Sequence, residues 1–216
     1  MAYNEKLDKL ERKLRKFSIS NLMLYIIAGT VAVFLLGAVL YVAKGIDIYS
    51  YIGFSRDLIL RGQVWRLLTF LFIPTDSSLL MLITLYLYWM MGSALEREWG
   101  TVKFNLFYLC AWLLTVVSGF IFGGVTNIFI NTSLFFAFAI LYPETQFMLF
   151  FCIPIKAKWL AVIDAIFYVY MFIMGGWIIR GSILACVLTL AIFFAGEVIE
   201  HIKRAKRRAD WKRNFK

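Results

Sequence analysis

The 216-residue chain is 62% hydrophobic and 17% charged, with a mean hydropathy of +0.79. A soluble domain holds about 45–50% apolar residues, so this composition excludes a water-soluble globular protein and makes lipid the solvent. The net charge of +10 sits mainly at the two ends beside apolar runs, where it reads as membrane topology and attraction to anionic lipid, not nucleic-acid binding.

Residues 5–17 place Leu7, Leu10, Leu14 and Phe17 at helical spacing between charges. This predicts either an amphipathic helix on the cytoplasmic membrane surface or a basic flank that obeys the positive-inside rule. The N-terminus lacks a signal-peptide cleavage site, and its apolar segment is too long for an h-region. Apolar runs predict membrane spans at Asn21–Ala43, Ser78–Met91, Phe104–Gly123, Asn127–Tyr142, Trp159–Met174 and Trp177–Ile199. Residues 44–66 are too mixed for a span and too aromatic for a linker, so a partly embedded loop with short helices is expected. Within it, Trp65 and Arg66 suit the lipid–water boundary. Turns are expected over residues 92–103 and at Gly175-Gly176, and an apolar hairpin-like stretch over Phe147–Ile155 is followed by the basic turn Lys156-Ala157-Lys158. The expected organisation is a basic N-terminal segment (1–20), one six-helix membrane domain (21–200) and a basic tail (201–216).

With a cytoplasmic N-terminus, inside segments hold 18 of the 23 basic residues, and only Lys44, Arg56, Arg61, Arg66 and Arg180 fall outside. Six spans then place both termini in the cytoplasm. Cys110, Cys152 and Cys186 lie in apolar segments without CxxC or metal-ligand spacing, so neither a disulfide framework nor a metal centre is expected. No cofactor motif is present.

The Trp65-Arg66 pair, the Gly92-x3-Glu96-x3-Gly100 pattern, AFAILYP (Ala137–Pro143) and PIKAKWL (Pro154–Leu160) together resemble the rhomboid family of intramembrane serine proteases. The resemblance implies an all-α, six-transmembrane-helix bundle, N-in/C-in, with a partly embedded first loop. It also implies a serine nucleophile early in the fourth helix, a histidine base on the sixth, and oxyanion donors on the second. Those positions fall on Ile128 for the nucleophile and on Leu80 and Thr84 for the oxyanion side chains. His201 is the only histidine and lies beyond the sixth span. A serine needs a base and a preorganised oxyanion site to act, so the resemblance points to a pseudoprotease. The expected function is binding of transmembrane segments or membrane-protein clients without cleavage. The alternatives are a protease with an unconventional dyad built on Ser118 or Ser182, and a membrane scaffold or lipid-perturbing protein. The absent signal peptide and compact size lean towards a bacterial cytoplasmic membrane.

Other residues are singled out on physical grounds. Asp164 lies within a span and Arg180 near the outer start of another, where ionisable groups mark functional sites. For Asp164 the competing reading is an internally hydrogen-bonded group, and for Arg180 an interface anchor. Glu197 and Glu200 read as interfacial partners of the tail cations. Asn127 and Asn131 either line a weakly polar pocket with Thr84 and Thr132 or cap the fourth helix. Phe129 and Phe136 are expected to fill the cavity that an active protease would leave open.

Overall fold

The computed structural model describes residues 18–75, 80–149 and 153–194. The segment over 5–17, Cys152, Glu197, Glu200, His201 and the basic tail lie outside them. The first helix, α1 (Leu22–Lys44), is apolar around its whole circumference and ends at Gly45. Gly45 adopts a left-handed conformation (φ 65°), and its N–H closes on the Tyr41 carbonyl while that of Ile46 closes on Leu40. Such a close satisfies the orphan carbonyls of the last turn. The expected loop follows as α2 (Ile48–Ile52), α3 (Arg56–Leu60), α4 (Arg66–Thr69) and a 3-10 turn at Phe70–Phe72.

α5 (Leu80–Trp99) and α6 (Thr101–Phe122) form a helical hairpin joined by Gly100 alone. This corrects the expected span Ser78–Met91 and the turn over 92–103. Glu96-Arg97-Glu98 continues the helix instead of breaking it, because a charged residue at the membrane surface is compatible with helical backbone. Only Gly100, at φ 79°, departs from helix. Next come α7 (Ile128–Leu141), the antiparallel hairpin β1 (Gln146–Leu149) and β2 (Ile153–Lys156), and α8 (Ala157–Met174). The last described helix is α9 (Trp177–Phe194).

α7 is the central helix. Nine of its 14 residues are buried, and it packs against α5, α6 and α8. Facing residues include Phe104, Phe107, Leu95, Ile130 and Leu134, all essentially inaccessible. α9 closes on α6 through small residues: a Cβ at Gly181 would lie 2.7 Å from Ser118 Oγ and closer still to the Phe122 ring. The protein is thus an all-α, multi-spanning membrane protein apart from one short hairpin. Among the described residues, α1, α6, α8 and α9 are long and apolar enough to cross a bilayer. The expected six equivalent spans are not matched: α5 carries three charged residues in its last turn, and α7 is only about 21 Å long.

Candidate functional site

The three residues of the Gly-Glu-Gly pattern build one joint. Gly92 lies under Met23 of α1, where an added Cβ would come within 2.7 Å of the Met23 side chain. One turn on, Glu96 accepts a hydrogen bond from the Asn21 N–H at 3.0 Å, and Asn105 Nδ2 donates to the Ile19 carbonyl. Asn21 takes a left-handed conformation and makes no side-chain cap. Glu96 therefore takes from another helix the part of a capping-box glutamate, accepting from the N–H of the N-cap residue, and Gly100 then turns the chain.

Arg66 does not behave as an interface residue. It is 4% exposed, whereas Trp65 is 53% exposed. Arg66 Nη1 donates to the carbonyls of Ser50 (2.9 Å) and Gly53 (2.6 Å), and Nε donates to Gln63 Oε1 (2.7 Å). The five-donor guanidinium suits a loop whose carbonyls face inward. Thr69, Trp112 and Asn127 complete the task by donating to Ile52, Leu67 and both Leu71 and Ile73. The expected reading of Trp65-Arg66 as a pair at the lipid–water boundary holds for Trp65 only.

Asn127 occupies the N-cap position of α7, but its side chain caps nothing; its amide is spent on the loop carbonyls. Asn127, Asn131 and Thr84 do line one small cavity of about 20 Å³, with Thr30, Thr75 and Tyr88. That is room for about one water. Thr132 faces the other way, where its hydroxyl meets the Tyr168 hydroxyl at 2.7 Å. The Tyr88 side chain bridges the two regions, within reach of Thr75 and Asn131 on one side and of the Asp164 charge on the other. Leu80 and Ile128 are exposed apolar residues, and Thr84 donates to the Leu80 carbonyl.

Asp164 is the eighth of the 18 residues of α8, so it sits near the middle of the span, deeper than its distance from Trp159 suggests. It lies on the inward row of α8 with Ala157, Ala161, Tyr168 and Met171. Its charge acts on Tyr88, Tyr168 and Cys186, yet it makes no hydrogen bond or ion pair among the described residues. Arg180 has a defined role that neither sequence reading contained. Nε and Nη2 donate to the carbonyls of Phe172 and Ile173 at 2.9 Å, and the guanidinium lies over the Trp177 ring at 5.3 Å. It caps the C-terminus of α8 from across the turn, where a cation also complements the helix dipole.

Phe129 packs tilted and Phe136 edge-on against Tyr168. They do not fill a cavity; they line one of about 300 Å³ between α7, α8 and α9. At the opposite end of the bundle, Glu144 binds Lys156 (2.7 Å) and Lys158. Those hydrogen bonds, Lys156 first, hold its carboxyl down to about 2. Among the described residues no group of three or more His, Cys, Asp or Glu could hold a metal.

Comparison with curated proteins found no match. The family described as Eukaryotic integral membrane protein (DUF1751) matches residues 25–196, the loop and all the described helices included. That match overturns the rhomboid assignment, together with the client-binding pseudoprotease function that rested on it. It also replaces a bacterial inner membrane with a eukaryotic one. The chain belongs to the DUF1751 family of eukaryotic integral membrane proteins.

Proposed function

We propose that this protein is a non-enzymatic, six-span membrane protein with both ends in the cytoplasm, binding anionic lipid through a basic cytoplasmic rim. The observation that supports this reading is the placement of charge at the two ends of the bundle. Arg97 ends α5, Lys103 begins α6, Lys156 ends β2 and Lys158 begins α8, so alternating chain direction brings all four to one end. In the sequence, segments 1–20 and 201–216 precede α1 and follow α9 and carry 14 further cations. Each Lys or Arg near an anionic surface contributes about 1 kcal/mol. At the opposite end stand Lys44, Arg56, Arg61 and Arg180, the last committed to helix carbonyls. In this topology α5 and the short, buried α7 cross alongside α1, α6, α8 and α9.

The serines favour a non-enzymatic role. Ser182 and Ser133 are buried and donate to carbonyls of their own helices. Ser118 is buried with its hydroxyl unpartnered among the described residues. The chain's single histidine lies beyond α9, leaving none of them a base.

The test uses full-length protein in nanodiscs of phosphatidylcholine with or without phosphatidylserine. The anionic discs are expected to raise the unfolding midpoint, and added salt to abolish the gain. Neutralising Arg97, Lys103, Lys156 and Lys158 to Gln should reduce it. Equal midpoints in both discs would sink the reading. A glycosylation acceptor placed at Gly62 should be modified and one at Glu98 should not; the reverse pattern overturns the orientation.

A further inference from the structure

We propose that the cleft between α7, α8 and α9 binds one acyl chain of a glycerophospholipid from the leaflet opposite the basic rim, with Arg180 beside the phosphate. α8 stands off from the bundle: Ala157 is its only buried residue. Tyr168 pins it to α7 through Thr132 and through the rings of Phe129 and Phe136. The resulting cavity of about 300 Å³ is walled by apolar side chains, chiefly Phe129, Phe136, Phe172, Ile183, Val187 and Leu190. Its two hydroxyls are already used, because Thr132 donates to the Ile128 carbonyl and Tyr168 to Thr132. A buried water needs 2–4 polar partners, so this cavity does not hold water. Its size lies at the lower bound of about 300–1,000 Å³ for ligand sites. Val169, Leu184 and Val187 line the cleft and are also exposed, so it opens to the bilayer and hydrocarbon is its available occupant.

The depth of the cleft identifies the leaflet. Its lining runs over residues 165–172 of α8 and 183–190 of α9, about 10 Å along each axis at 1.5 Å per residue. On α8 this is the half nearer the Gly175-Gly176 turn and on α9 it straddles the middle of the helix, so the cleft reaches from that turn's leaflet to about the midplane of a ~30 Å hydrocarbon layer. The end nearer the surface is the Gly175-Gly176 turn, where Trp177 is 70% exposed as suits the interfacial aromatic belt. Arg180 commits Nε and Nη2 to α8, leaving Nη1 without a partner among the described residues. A phosphate is the acceptor that chemistry and depth both supply there.

The probe is phosphatidylcholine carrying a diazirine midway along one acyl chain, in nanodiscs with the full-length protein. Because this lipid has no net charge, the outcome is independent of the basic rim. Photolabelling is expected to saturate and to map to residues 129–136 and 183–190. Ala165→Phe, which fills the cleft from its mouth, should lower that labelling about tenfold, and Val187→Trp should do the same from α9. Val162→Phe, on the outer face of α8, should leave it unchanged. Arg180→Gln should weaken capture of the phospholipid but not of a diazirine diacylglycerol, which lacks phosphate. Labelling that rises linearly with lipid, spreads over Val162 and Ile166, and ignores both cleft-filling variants would mean bulk solvation only and overturn the proposal. Equal loss of both probes in Arg180→Gln would remove the phosphate contact from it.

Discussion

Arg66→Met tests the claim that one buried guanidinium holds the first loop together. Methionine fills similar space but abandons the carbonyls of Ser50 and Gly53 and the amide of Gln63. Hydrogen bonds to a charged group contribute about 1.5–3 kcal/mol each, and the two part-buried backbone acceptors regain water only in part. Gln63 is half-buried and can turn to solvent, so its bond counts for little. Two carbonyl bonds then give a loss of about 3–5 kcal/mol. Arg66→Lys keeps the charge but loses the planar fork, and should cost about half as much. Reversible unfolding in mixed detergent–dodecyl sulfate micelles measures the free energy, and trypsin cleavage after Arg56 and Arg61 reports release of the loop. If Arg66→Met lies within about 1 kcal/mol of the parent and cuts no faster, the guanidinium does not organise the loop and the reasoning fails.

Gly181→Ala should destabilise by about 1–3 kcal/mol through overpacking, since the new Cβ meets the Phe122 ring and Ser118 Oγ; an unchanged melting point would mean that α6 and α9 pack less closely. Asp164→Leu should raise the melting temperature, because removing an unpaired carboxylate near mid-span relieves a cost of about 2.5–3.5 kcal/mol; a fall would reveal a partner that the carboxylate holds. Glu144→Gln should lower stability modestly at neutral pH, since the ion pairs are exposed. The folded-state pKa is depressed, so the contribution is present above the ordinary carboxylate range and is lost as pH falls through about 2. Parent and variant should therefore converge over that window, and a constant difference across it would exclude the ion pairs as its source.

The helices were largely legible because apolar runs of span length have few alternative uses. α1, α6, α7 and α8 begin and end within three residues of expectation. The turn expected over residues 92–103 cuts α5 short, whereas Gly92 is a contact site for Met23 inside a continuing helix. The side-chain roles were harder to read. A lone arginine beside a tryptophan carries no local sign of whether it faces lipid or carbonyls, and its partners lie 13 and 16 residues upstream. The Arg180 cap depends on a tight turn that folds α9 back along α8. The Gly-Glu-Gly pattern serves here as a close helix approach, a remote acceptor and a positive-φ turn, geometric roles that carry no protease chemistry. The cleft beside α8 had no sequence signal: it depends on how far α8 stands from α9, and the sequence shows only that both are apolar.

The bond between Glu96 and the Asn21 N–H bears on how the chain is made. Seventy-five residues separate the two partners, which at about 5–20 residues per second means roughly 4–15 s of synthesis. Through that interval α1 has emerged while its opening N–H still lacks the acceptor that Glu96 provides. The following bond, from Asn105 to Ile19, arrives later still. The joint that seats the start of α1 is therefore made only with α5, and a chain stalled before α5 leaves the exposed Asn21 N–H to water.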